Sequence, residues 1–232
     1  MNDPKIILDS TRKPQEIENR SLGIIDSEVP EPRPFAGVEW EVVRRMIHTT
    51  ADFELLKLTR FHPGAVRVGL EALRRGARIV TDTEMARAGI PLRRMEPLGC
   101  TVNCLMNDPR VAELARQNGS TRALAAVDVA VGAADLSGPD SPSPTSFAPS
   151  PDIWVIGNAP TALIRLLEHV RSGKAHPALV IGMPVGFVNA AESKELLLAQ
   201  EAVPYVTIRG RKGGSALAAC VVNALADVVL RG

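Results

Sequence analysis

Three times between residues 152 and 230 the chain runs a short, continuously apolar stretch into a loop and then into a longer helical pattern. DIWVIG (152–157) leads into NAPTALIRLLEHV, PALVIGM (177–183) into PVGFVNAAESKELLLA, and VPYVTIRG (203–210) into RKGGSALAACVVNALADVVL. A strand that is apolar on both faces must be covered on both faces, which is the condition of a parallel sheet between helices. The repetition therefore predicts an α/β fold, a three-layer α/β/α sandwich with a mostly parallel sheet of about five strands, flavodoxin-like in class.

Upstream segments supply the remaining pieces. ARIVTD (77–82) and CTVNCLM (100–106) read as strands, with a small helical turn over TEMARAGI between them. A helix then runs to about Gln117, breaks at Asn118-Gly119, and restarts with Ser120 or Thr121 as its cap. Before residue 76 the pattern is helical. One helix over 14–29 opens on Pro14 and aligns Ile17, Ser21 and Ile25 on one face. The prolines of EPRPF stop it. A second covers about 37–47 with His48 at its C-terminal end, and a third ends at Gly76. These form an N-terminal helical extension of one domain spanning 1–232. Residues 132–152 are rich in Ser, Pro and Asp and hold too few apolar groups to offset the entropy of ordering, so a flexible surface insertion is expected there.

Composition removes several function classes. Aromatic residues are 3% of the chain, too few for a base- or sugar-stacking platform, and a net charge of +1 gives no case for nucleic acid or an anionic membrane. Cys100, Cys104 and Cys220 form no CxxC pair and have no histidine at ligand spacing, so neither a disulfide framework nor a metal site is expected. The start, MNDPKIILDSTRK, lacks a signal-peptide pattern, and no apolar run reaches the roughly 18 residues of a membrane helix. The expectation is a soluble cytoplasmic protein.

Ligands of open parallel sheets bind beyond the carboxyl ends of the strands. Here those ends carry 157–161 (with Asn158 and Thr161), 182–186 (ending in Gly186) and 210–215 (with Arg211, Gly213, Gly214 and Ser215). Glycines admit a ligand to the backbone, and helix N-termini offer unpaired N–H groups to anions. Lys194, Arg209, Arg211, Lys212 and Arg122 can add positive charge to this rim. There is no GxGxxG after the first strand and no GxxxxGK[ST], so dinucleotide and P-loop readings lose their main support. The residues point to a small polyanion. His48 stands either as an ordinary helix-end residue or as a proton donor, since a helix C-terminus favours the cationic ring.

These segments resemble the precorrin-8X methylmutases of cobalamin (vitamin B12) biosynthesis. The resemblance lies in NRSLGII (19–25), RRMIHTTADFE (44–54), GSTRAL (119–124), VIGNAPTAL (155–163), IGMPVGFVNAAESK (181–194) and IRGRKGGSALAACVVNAL (208–225). It implies an isomerase that moves a methyl group from C11 to C12 of an anionic tetrapyrrole, needing no cofactor. It implies further that His48 is the catalytic residue, that Ser21 and Arg122 line the corrinoid pocket, and that the protein is a homodimer with the site near the interface. A corrinoid carrier that keeps the pocket without turnover is the competing expectation, against which the retained histidine weighs.

Overall fold

A computed structural model of the chain describes residues 13–132 and 151–232. Most of the segment read as an insertion, 133–150, lies outside the described residues. Two helices lead, α1 (Pro14–Glu28) and α2 (Gly37–Thr50), followed by α3 (Leu55–Leu58), the short strand β1 (Thr59–Phe61) and α4 (Ala65–Arg74). Then come β2 (Arg78–Thr81), α5 (Glu84–Ala88), α6 (Leu92–Met95), β3 (Thr101–Cys104), α7 (Pro109–Asn118) and α8 (Arg122–Val131). The three repeated units follow: β4 (Ile153–Ile156) with α9 (Pro160–Arg171), β5 (Leu179–Gly182) with α10 (Ala190–Leu198), and β6 (Tyr205–Ile208) with α11 (Ser215–Arg231).

Among the described residues the strands form one sheet in the order β1-β6-β5-β4-β2-β3. The five strands β2 to β6 are parallel, and β1 adds an antiparallel edge, pairing Thr59 with Ile208 and Phe61 with Val206. The five-strand expectation thus gains one strand, which comes from within the N-terminal helical part.

Side-chain alternation along the strands builds two cores. Ile79, Val155, Ile181 and Val206 face a core shared with α2, α4 and α11. Val80, Trp154, Val180 and Tyr205 face the opposite core, shared with α8, α9 and α10. Both faces of every central strand are therefore apolar, which is why these segments lack a hydrophobic–polar alternation. Of the N-terminal helices α4 lies on the sheet, where a Cβ on Gly69 would stand 3.1 Å from Leu179. By contrast α2 lies outside α11, and α1 outside α2.

The chain leaves β2 towards β3 on one side and returns to β4 on the other. The carboxyl ends of β2 and β4 thus flank the point where strand order reverses, where open α/β sheets form a ligand crevice.

Candidate functional site

Two neighbouring regions carry the candidate residues. The first is a groove between α1 and α2, with a volume of about 480 Å³, lined by Ile17, Ser21, Ile24, Ile47, His48 and Phe53 among others. Polar clamps seat α1 on α2. Asp26 accepts hydrogen bonds from the Trp40 indole (3.0 Å) and from Arg44 (2.6 Å), while Arg45 reaches both Glu18 (2.8 Å) and Asp227 of α11 (2.9 Å). Ile25 and Val29 bury against Trp40, Val43 and Met46 in the same core. This docking brings Ser21 Oγ to 2.8 Å from His48 Nδ1. Helix α2 runs past His48 to Thr50 and stops at Ala51 in the left-handed conformation, so His48 occupies the last turn and is exposed. With Nδ1 engaged, Nε2 is the ring atom without a partner among the described residues.

The second region is the crevice at the reversal point. Asp82, directly after β2, accepts from the backbone N–H groups of Gly157 (3.0 Å), Asn158 (2.8 Å) and Ala159 (2.7 Å). Burial pushes its carboxyl pKa up, and the three amides oppose that shift. The effect is to fold the 157–159 loop over β4 and aim the start of α9 at the crevice. Thr121 caps α8 through Leu124 N–H, and its hydroxyl lies 3.0 Å from that of Thr161. The N-termini of α8 and α9 therefore converge, presenting the exposed Arg122 and Asn158 and the half-buried Thr161. Asp82→Ala strands three backbone donors, those of Gly157 and Ala159 buried. It is expected to lower stability by about 2 kcal/mol, read as a lower urea midpoint; an unchanged midpoint would refute this role for the carboxylate.

Loop 210–215 joins the two regions. Gly214 N–H donates to Met183 O (2.9 Å), and Gly186 N–H to Arg211 O (3.2 Å). The Arg211 guanidinium lies 5.5 Å from the Phe187 ring centroid, and Phe187 is 84% exposed. Lys212 spans to Asp52 (2.5 Å) and Glu54, beyond the end of α2. Two expected rim residues are corrected by this geometry. Lys194 is 0% exposed and donates to the Lys212 carbonyl, and burial pulls its amine pKa down to about 8. Ser215 is also buried, its hydroxyl 2.8 Å from that of Thr83. Both hold the loop from inside.

The fold thus unites Ser21 with His48, and Arg122 with Asn158 and Thr161, and it sets Gly186, Arg211, Gly213 and Gly214 around the connecting loop. Sequence reasoning missed Asp82 and the Lys212 link. The signal for Asp82 was present as TDT at the carboxyl end of the first parallel strand. The three cysteines are free thiols, and among the described residues no group of three or more His, Cys, Asp or Glu is arranged to hold a metal.

The chain matches the family described as precorrin-8X methylmutase over residues 16–228. It is 42% identical over 215 residues to the cobalt-precorrin-8 methylmutase of Leptospira interrogans, covering 90% of this chain and 91% of that one. It is 42% identical over 218 residues to its counterpart in Salmonella typhimurium (92% and 95% covered). The precorrin-8X methylmutase of Pseudomonas aeruginosa is 39% identical over 224 residues (95% and 98%). The crystal structure of a precorrin-8X methylmutase from Thermus thermophilus aligns with a TM-score of 0.80 at 44% identity, over 94% of this chain and 97% of that chain. The match spans both the groove and the crevice, and the chain belongs to the precorrin-8X methylmutase family.

Proposed function

We propose that this protein is an isomerase of cobalamin biosynthesis, moving a methyl group from C11 to C12 of precorrin-8X or cobalt-precorrin-8 to give hydrogenobyrinate or cobyrinate. In a 1,5-sigmatropic shift the C11–methyl bond breaks as the C12–methyl bond forms, with no net change of atoms or oxidation state and no cofactor. Any cobalt is part of the substrate. Such a reaction asks the protein for a shaped site and one well-placed acid. The observation that carries the reading is the hydrogen bond between Ser21 Oγ and His48 Nδ1 at the mouth of the groove.

That bond has a direct consequence for proton supply. When Ser21 donates to Nδ1, a neutral ring carries its proton on Nε2, the atom free to donate to the macrocycle; when the ring is cationic, Ser21 accepts instead. The substrate's acetate and propionate carboxylates find their complement in Arg122, Arg211, Asn158, Thr161 and the glycine-rich loops around Gly186, Gly213 and Gly214. Exposed Val185, Phe187 and Val188 offer an apolar surface beside these charges, suited to the macrocycle or to a second copy of the chain. A homodimer with the site near its interface, a cytoplasmic location and a single domain over 1–232 belong to the same reading.

Incubation with precorrin-8X should change its absorption spectrum to that of the product. Substrate that binds but stays unchanged would overturn the isomerase and favour a carrier. Relatives named for either substrate share about two fifths of their residues with this chain, so metal-free and cobalt forms belong in one assay. Arg122→Ala should raise KM about tenfold or more, the size of one lost charge-assisted hydrogen bond, with little change in kcat. An unchanged KM would remove Arg122 from the site.

A further inference from the structure

We propose that Lys212 is a positioning residue for His48, forming with the buried Lys194 a tether from the interior of the sheet's carboxyl end to the turn that closes α2. The proposal rests on the reading of His48 as the acid. It adds a second way of fixing that side chain, independent of Ser21.

The inner anchor is Lys194. It lies in the first turns of α10, entirely buried, and its Nζ donates to the Lys212 carbonyl at 2.5 Å. A buried amine leaves water at a large cost unless a partner replaces the lost hydrogen bonds. The carbonyl it holds belongs to an otherwise exposed loop, so the amine fixes a backbone atom of Lys212 rather than a ligand. The Lys212 side chain then points outward, with Nζ 2.5 Å from Asp52 Oδ2 and in contact with Glu54 Oε2. The outer anchor is therefore double, and both carboxylates come from the turn just after His48.

That turn needs holding. Ala51 sits at φ 54°, a left-handed conformation that costs an alanine strain, and its N–H closes the helix on Ile47 O at 2.7 Å. Asp52 Oδ1 accepts the Glu54 N–H (2.9 Å), which keeps the two carboxylates side by side to meet one ammonium. The lysine in turn holds the Asp52 carboxyl below the usual range. An exposed ion pair contributes little to overall stability. Its effect here is geometric, because it ties the last turn of α2 to a crevice loop 160 residues further along the chain.

The test compares Lys212→Met, Lys212→Arg and the double variant Asp52→Asn/Glu54→Gln. Lys212 is on the surface, so the comparison is separate from folding. Lys212→Met should lower kcat about tenfold, as expected for a displaced catalytic group, with KM within about twofold. Lys212→Arg, which still reaches both carboxylates, should recover most of the loss. Combining Lys212→Met with the double variant should add nothing further. In the substrate-free protein the His48 ring resonances should shift in Lys212→Met and return in Lys212→Arg. An unchanged kcat, a loss confined to KM, or additive losses would overturn the tether. If the wild-type protein leaves precorrin-8X unchanged, the isomerase reading fails on its own. The ring resonances then decide the tether, and their failure to move in Lys212→Met sinks it.

Discussion

Replacing His48 with alanine is expected to leave a folded protein that still binds product and to slow isomerisation by about 10²–10⁴-fold, the span of a lost general acid. The fold should survive because His48 is exposed in the last turn of α2, while Val42, Val43, Met46 and Ile47 carry that helix's buried face. Binding should survive because the proposed ligand contacts at Asn158 and Thr161 keep their own supports from Asp82 and Thr121. The measurements are single-turnover kinetics on precorrin-8X and product affinity for the same variant. Full activity in His48→Ala would end the acid proposal, and lost product affinity would make His48 a binding residue instead. Ser21→Ala provides the finer comparison. With the Nδ1 partner gone, the ring loses the hydrogen bond that orients it with Nε2 outward, so kcat should fall by a smaller factor than in His48→Ala. Ser21→Thr, which retains the hydroxyl, should stay close to wild type.

The sheet was legible because its central strands are buried on both faces and their runs are mainly apolar, with Thr81 and Thr207 as buried polar members. β4, β5 and β6 fall inside the three predicted stretches, and β2 inside ARIVTD. β1 was not legible. Its three residues, TRF, include an exposed-type arginine and gain strand geometry only by pairing with β6, some 147 residues later. Local pattern carries no information about a partner so distant. The site divided along similar lines. Loops after parallel strands were placed at the crevice by topology alone, whereas the partnership of Ser21 with His48 depends on how α1 crosses α2. The clamps at Asp26 and Arg45 decide that crossing, and periodicity shows only that Ser21 shares a stripe with Ile17 and Ile25. Lys194 misled for a different reason. Charged residues are seldom fully buried, so a lysine near a ligand loop reads as rim, and only the position of the Lys212 carbonyl shows why its amine turns inward.

Gly213→Ala should be among the most damaging single-methyl changes in the chain, with stability lowered by about 3 kcal/mol and isomerisation lost along with it. A Cβ built at this position would lie 2.2 Å from the Met183 carbonyl oxygen and 2.7 Å from that of Pro184. Neither obstacle is the tip of a side chain that can swing aside. The Met183 oxygen already accepts the Gly214 N–H, so it is held where the new methyl group would have to go. Relief requires the β6–α11 loop to separate from the β5–α10 loop. That movement displaces Arg211 from Gly186 and Phe187, and it pulls the Lys212 carbonyl from Lys194. Gly157→Ala meets a related obstruction, 2.6 Å from Ser215 Cα, and should behave similarly. Gly23→Ala is the control. It lies within α1 with no atom outside the helix's own backbone inside 4 Å of the new carbon, and a helical glycine replaced by alanine should gain up to about 1 kcal/mol. Urea midpoints for the three variants should therefore fall on opposite sides of wild type. A Gly213→Ala protein as stable as wild type would mean that the loops can part freely, and the rim would then lack the rigidity assigned to it.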